Sequence, residues 1–199
     1  MTIGFEIQIM ERIKQAISES LAVKDKILNN AVLLETIKQV ASTCTTAFCE
    51  GNKMLFCGNG GSAADAQHLA AELSGRFYFD RAPLPAEALH VNTSFLTAVA
   101  NDYSYDEVYA RMVKAQGRKG DILFGLSTSG NSPNIIRALE VANELGMITV
   151  GFTGEAGGKM KSMCDFLINV PSQDTPRIQE SHILIGHIIC ELIESKLFK

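Results

Sequence analysis

Apolar positions follow two different patterns along the chain, and the pattern changes near residue 50. Before that point apolar residues recur every three or four positions. One stripe consists of Ile9, Ile13, Ile17 and Leu21, and a second begins at Leu33. This spacing is typical of amphipathic helices. We therefore expect residues 3–50 to be helical and to cover a sheet or pack against another subunit.

After residue 50, short apolar runs alternate with polar loops and helix-forming segments. The apolar runs predict strands at residues 54–57, 121–126, 147–152 and 166–170, with a weaker candidate at 85–91. The intervening segments predict helices at residues 63–73 and 105–116, a helix that begins at Pro133, and a long helix over 175–196. Continuous apolar strands that alternate with helices indicate an open parallel sheet covered on both faces.

The predicted fold is thus an α/β three-layer sandwich of the flavodoxin-like or Rossmann-like kind, with added N-terminal helices. We expect residues 51–199 to form the sheet-containing domain. Residues 1–50 would belong to the same domain as helices for packing or oligomerisation.

Composition and charge narrow the possible partners. Among 199 residues there are 18 Lys and Arg against 22 Asp and Glu, so the formal net charge is −4. A mildly acidic chain without a basic run argues against a nucleic-acid partner. No apolar stretch approaches the roughly 18–20 residues of a membrane span, and residues 1–11 lack a signal-peptide pattern, so we expect no membrane association. The five cysteines are odd in number and form no C-x-x-C pair, which favours the reducing cytoplasm.

Two polar loops directly follow predicted strands, at residues 58–62 and 127–132. Because ligands bind beyond the carboxyl ends of parallel strands, both loops should line one rim of the sheet. The second loop carries four hydroxyls in front of a helix that begins at Pro133, with Ser132 as the predicted N-cap. Capping needs only one hydroxyl, so the others predict a phosphate site at the helix N-terminus.

The first loop is glycine-rich and less specific. The segment from Gly58 to Ala63 fits the dinucleotide pattern G-x-G-x-x-A. That pattern also requires a carboxylate at the end of the next strand, and the candidate strand ends at Val91 and Asn92 instead. The Walker pattern is absent as well. We interpret the loop as a place where the backbone approaches a ligand closely.

Candidate metal ligands lie on two predicted helices. His68 and Glu72 are four residues apart and share a face. The C-terminal helix offers Gln179 and His187, separated by about 12 Å of rise and about 80° of rotation, so another element must fill the gap between them. A His/Glu/Gln/His set suits zinc or a similar divalent ion, although a helix-stabilising pair explains His68 and Glu72 as well.

Four separated segments carry a family resemblance: residues 57–74, 100–102, 126–135 and 170–188. In sequence and order they resemble the sugar isomerase (SIS) domain, and most closely the phosphoheptose isomerase family. The resemblance extends over residues 50–195. It implies an aldose–ketose isomerase that converts D-sedoheptulose 7-phosphate to D-glycero-D-manno-heptose 7-phosphate through an enediol or enediolate. That reaction is the first step toward bacterial heptose precursors for lipopolysaccharide or surface glycans.

The resemblance also implies roles for individual residues. Glu72 and His187 would be the acid/base pair. One zinc ion per subunit would be held by His68, Glu72, Gln179 and His187. The sugar phosphate would contact Glu72 and Gln179 together with Asn59, Gly60, Gly61, Asn101, Asp102, Ser127, Thr128, Ser129 and Ser132. A homotetramer with active sites at subunit interfaces is implied too.

Two residues near the end of the weaker strand candidate are unusual for the family. Asn92 stands where family members often carry an acidic residue, and His90 is a lone histidine near a strand end.

SIS proteins that associate with the replication initiator resemble the family but typically lack its glutamate and final histidine. This chain keeps both, which favours an enzyme. An isomerase for another ketose phosphate is a further alternative, whereas a sugar-sensing transcription regulator would need a DNA-binding domain that we do not expect here.

Overall fold

The computed structural model describes the backbone of residues 2–199 and the side chains from residue 6 onward. Two helices come first, α1 (Thr2–Leu28) and α2 (Ala31–Cys49). The predicted helical region is therefore confirmed, with one break. Asn30 causes the new start because its side chain accepts a hydrogen bond from the backbone N–H of Leu33 at 3.0 Å, which is an N-cap.

The sheet has five parallel strands: β1 (Met54–Gly58), β2 (Ala86–Ala88), β3 (Ile122–Leu126), β4 (Ile148–Thr153) and β5 (Phe166–Asn169). Their order is β2-β1-β3-β4-β5, which confirms the predicted flavodoxin-like α/β class. The direction of winding reverses between β1 and β3. Both predicted loops leave the carboxyl ends of these two strands, so they lie at the switch point where such sheets bind ligands.

Five more helices pack on the sheet: α3 (Gly61–Ser74), α4 (Thr93–Asp102), α5 (Val108–Gln116), α6 (Pro133–Glu144) and α7 (Thr175–Phe198). Short 3-10 turns occupy Tyr105–Glu107 and Gly158–Ser162. None of the described helices has the length and apolar character that a membrane crossing requires.

The sequence pattern did not predict helix α4, and the candidate strand at 85–91 extends beyond the observed strand. The strand ends at Ala88, and Asn92 starts the helix by accepting a hydrogen bond from the backbone N–H of Phe95 at 3.0 Å. Asparagine and aspartate cap helices about equally well. Asn92 can therefore start α4 as an aspartate would.

The two apolar N-terminal stripes differ in how far they are buried. Val40 and Cys44 of α2 are fully buried in the core formed by α2, α3 and α7 on one face of the sheet. In contrast, Ile13 and Leu21 of α1 are 48% and 62% exposed. Helix α2 thus covers the sheet, whereas the outer stripe of α1 is not packed against other described residues of this chain.

Candidate active site

Helices α3 and α7 lie side by side and bring two histidines together. Both helices follow strands of the parallel sheet, so both begin at the same rim. A Cβ added at Gly186 would lie 2.5 Å from Cδ2 of Leu69, so the absence of a side chain at Gly186 lets the helices approach closely. At this level Nε2 of His187 lies 3.0 Å from Nε2 of His68.

Glu72 completes a cluster of three. Its Oε1 atom lies 3.0 Å from Nε2 of His68, and one ligand atom each of His68, Glu72 and His187 lies within 4.8 Å of the others. Burial is the main cause that lowers the pKa of His187; the nearby His68 lowers it further and Glu72 opposes both. Neutral imidazoles and carboxylates are among the ligands that bind zinc in proteins. The chemistry of these donors fits a divalent ion.

Gln179, the fourth ligand implied by the resemblance, belongs to α7, and its side chain lies against the start of α3. A Cβ added at Gly61 would lie 2.5 Å from Nε2 and 2.9 Å from Oε1 of Gln179, so the amide group rests on the first helical residue. Gly61 precedes His68 by seven residues, about 10 Å of helix rise. The structure therefore gathers three of the four predicted ligands and places the Gln179 amide at the other end of the α3–α7 contact.

Asp65 adds a carboxyl group that the sequence analysis did not identify. It lies one helical turn before His68, and its Oδ2 atom is buried without a hydrogen-bond partner among the described residues. Burial raises its pKa to about 6, and the nearby His68 acts in the opposite direction. The signal in the sequence was the three-residue spacing from His68, which places two side chains on one helical face.

The loop between β3 and α6 brings hydroxyl groups together. Oγ of Ser127 lies 2.9 Å from Oγ of Ser132 and 3.4 Å from Oγ of Ser129. Ser132 occupies the predicted N-cap position, but its hydroxyl makes no capping hydrogen bond. The role expected of that side chain at the cap is therefore wrong. The hydroxyl instead contacts that of Ser127, which keeps it among the hydroxyls of the predicted phosphate loop.

A cavity of about 340 Å³ adjoins this loop. Thr128 and Ser129 of this loop line the cavity, together with Glu155 after β4 and with Gln173 and Thr175 around the start of α7. The loop keeps its shape through glycine at residue 130, where φ is 66° and an added Cβ would collide with the carbonyl group of Gly157. The predicted phosphate loop thus faces a space open to a ligand.

The glycine loop is tied to the phosphate loop through Asn59. The side-chain amides of Asn59 and Asn134 exchange two hydrogen bonds, each 2.9 Å long. Oη of Tyr105 also donates to Oδ1 of Asn59 at 3.3 Å. Asn134 is buried and was not predicted. The sequence did contain a signal for Asn134, because it is a polar residue at the second position of a helix that packs on the sheet.

The remaining predicted residues occupy other positions. Gly60 and Gly61 form the junction between β1 and α3, as expected. Asn101 and Asp102 lie exposed at the end of α4, where Nδ2 of Asn101 donates to Oδ1 of Asp102 at 2.9 Å. Among the described residues, neither side chain hydrogen-bonds to any other predicted site residue.

Comparisons with known proteins find similar sequences and similar folds. Residues 15–154 match the family model of the SIS domain. A phosphoheptose isomerase of Aneurinibacillus thermoaerophilus is 55% identical over 94% of this chain and 94% of its own. A phosphoheptose isomerase of Clostridium acetobutylicum is 51% identical over 94% of this chain and 95% of its own.

Solved structures show the same fold. A phosphoheptose isomerase from Neisseria gonorrhoeae has a TM-score of 0.88 and 44% identity, covering 94% of this chain and 99% of that one. A phosphoheptose isomerase from Francisella tularensis has a TM-score of 0.90 and 36% identity, covering 94% of this chain and 98% of that one. A Vibrio vulnificus protein solved with a phosphorylated sugar has 15% identity and a TM-score of 0.65, which indicates a shared fold alone.

Proposed function

Because the chain belongs to the phosphoheptose isomerases of the SIS-domain family, we propose that the cluster on α3 and α7 carries out their reaction. The enzyme interconverts D-sedoheptulose 7-phosphate, a ketose, and D-glycero-D-manno-heptose 7-phosphate, an aldose, at the entry to heptose precursor synthesis. The observation that supports our assignment is the 3.0 Å approach of His187 to His68, with Glu72 at 3.0 Å from the same nitrogen.

Glu72 is the proposed base. To move the carbonyl group from C2 to C1, a proton must leave C1, an enediolate must form, and a proton must return to C2. Oε1 of Glu72 faces His68, whereas Oε2 makes no hydrogen bond among the described residues. A carboxylate with one free oxygen can take the C1 proton and return it to C2. His187 would move the second proton, from the oxygen on C1 to the oxygen on C2.

We propose that His68, Glu72 and His187 hold a zinc ion, and that Gln179 becomes the fourth ligand only when its amide leaves the start of α3, about 10 Å along the helix from His68. The donor set of His68, Glu72 and His187, two imidazole nitrogens and a carboxylate oxygen, supports this assignment. When bound, zinc would supply a Lewis acid for the negative charge on the substrate oxygens. A histidine nitrogen can be a zinc ligand only when it is unprotonated, and the burial that lowers the pKa of His187 favours that form.

Ser127, Thr128, Ser129 and Ser132 are the proposed phosphate ligands, together with the N-terminus of α6. Support comes from the convergence of three of the hydroxyls and from the adjoining cavity. A phosphate held here uses binding energy remote from the reacting carbons to orient C1 and C2. Asn59, Gly60 and Gly61 would contact the sugar on the neighbouring loop.

We also propose a homotetramer with active sites between subunits. Leu184, Ile188 and Leu192 form an apolar stripe on α7 next to His187, and their exposed fractions are 36%, 37% and 42%. Exposed apolar residues arranged in a stripe indicate a contact surface. Asn101 and Asp102 would then face the site of a neighbouring subunit. Residues 1–50 would serve this packing as part of the same domain.

The proposed location is the cytoplasm. All five cysteines are free in the structure, as a reducing compartment would keep them.

The test is turnover of sedoheptulose 7-phosphate, followed by the aldose signal in NMR spectra. We expect activity that falls with a chelator and returns with zinc. Glu72→Gln should remove activity at an unchanged melting temperature, since it keeps the shape but not the base. Glu144→Gln, an exposed substitution at the end of α6, is the matched control and should behave like the wild type. Retained activity in Glu72→Gln would exclude Glu72 as the base.

A further inference from the structure

A buried ion pair links the two helices that carry the proposed acid/base residues. Nε of Arg81 lies 2.9 Å from Oε1 of Glu194, and the two side chains are 2% and 0% exposed. We propose that Arg81 and Glu194 are positioning residues that hold Glu72 of α3 in register with His187 of α7. This inference rests on the proposed roles of Glu72 and His187.

Arg81 acts on the end of α3. The last carbonyl groups of a helix lack partners within that helix. Nη2 of Arg81 donates to the carbonyl oxygen of Glu72 at 2.9 Å, and Nη1 donates to that of Leu73 at 2.8 Å. The guanidinium group therefore holds the backbone of the proposed base itself. A cation at a helix C-terminus is also favoured by the helix dipole.

Glu194 acts from α7, seven residues after His187. Its carboxylate accepts hydrogen bonds from the backbone N–H groups of Phe77, Tyr78 and Phe79 at 3.0, 2.7 and 3.2 Å. The centroid of the Phe77 ring lies 5.5 Å from that of His187. The same carboxylate thus fixes an aromatic ring against the proposed proton carrier.

Neither side chain reaches the reacting atoms. Glu194 lies about 10 Å along the helix from His187, and Arg81 contacts Glu72 through the backbone only. Their contribution is the relative position of two groups on separate helices. A displacement of about 1 Å in such a pair can cost roughly 100-fold in rate.

The chain contains a second ion pair of similar build, next to the starts of β1 and β3. Asp121 is buried and accepts hydrogen bonds from Nζ of Lys53 at 2.6 Å and from the backbone N–H groups of Lys53 and Arg118 at 3.0 and 2.9 Å. Like Glu194, it is a buried carboxylate bound to one cation and to backbone donors. It precedes β3, whereas ligands bind beyond the other end of the strands.

The experiment compares Glu194→Gln with Asp121→Asn in the full chain. Both substitutions remove a buried charge and keep the shape, so both should lower the melting temperature. Only Glu194→Gln should lower kcat, by about 10- to 100-fold, with KM within about twofold because the phosphate loop is untouched. Arg81→Lys should give the same kcat loss, since lysine lacks the planar fork that reaches both carbonyl groups.

A second readout does not depend on turnover. The NMR shifts of the His187 ring protons should change in Glu194→Gln and Arg81→Lys and stay unchanged in Asp121→Asn. Wild-type kcat and wild-type His187 shifts in either variant, measured below its melting temperature, would overturn the inference. If the wild type does not turn over the heptose phosphate, the proposed function fails, whereas the His187 shifts still decide whether the ion pair positions this group.

Discussion

Gly61→Ala should separate the role of the Gln179 amide from the stability of the fold. Gly61 is the first residue of α3, and its φ is not positive, so alanine can adopt the same backbone conformation. Alanine is favoured over glycine in helices by up to about 1 kcal/mol, and by less at the first position. The backbone therefore does not oppose the substitution.

The strain falls on one flexible side chain. The new methyl group would lie 2.5 Å from Nε2 and 2.9 Å from Cδ and Oε1 of Gln179. Because non-bonded contacts normally lie at about 3.5–4.0 Å, the amide must move by about 1 Å. We expect kcat/KM to fall by about 10- to 100-fold, which corresponds to about 1.4–2.7 kcal/mol of transition-state stabilisation. The melting temperature should stay the same or rise slightly.

The assay is a double-mutant cycle measured by turnover of sedoheptulose 7-phosphate. Gln179→Ala removes the group that the methyl displaces, so Gly61→Ala should cost little in that background. Thermal denaturation of all four proteins checks that the differences do not come from unfolding. If Gly61→Ala lowers kcat/KM equally in both backgrounds, the methyl acts elsewhere and our reasoning about Gln179 is wrong.

Three further predictions concern the phosphate loop, a buried histidine and the α1 stripe. Ser132→Ala should raise KM without the usual N-cap loss of about 1 kcal/mol, because the Ser132 hydroxyl makes no capping hydrogen bond; an unchanged KM would move the phosphate elsewhere. His182 is fully buried, and its pKa is lowered from 6.5 to about 4 mainly by burial, against the opposing hydrogen bond to the Thr153 carbonyl. The unfolded chain therefore binds more protons, and the free energy of unfolding should fall by about 3 kcal/mol from pH 6.5 down to pH 4; denaturant titrations should show this slope flattened in His182→Gln, and an equal slope in both proteins would contradict it. Ile17→Glu, at a residue 57% exposed, should reduce both the sedimentation coefficient and the activity, and an active monomer would rule out a site shared between subunits.

Local patterns in the sequence predicted most of the elements. The strands that follow residue 50 are short apolar runs, and α6 begins at Pro133 as expected. These features depend on neighbouring residues, because strand burial, capping and proline at a helix start act within a few positions. The exception is α4. Asn92 has the right chemistry for an N-cap, but the apolar run before it suggested a longer strand.

The sequence by itself determined the fold class and, through the family resemblance, most of the candidate chemistry. The tertiary structure decided which groups meet. His68 and His187 are 119 positions apart, and their approach depends on strand order and on the missing side chain of Gly186. Arg81 and Glu194 are 113 positions apart and showed no pattern in the sequence. Such contacts require two elements to pack at a set distance and rotation, and that geometry depends on the whole core, which the spacing of residues within one helix does not describe.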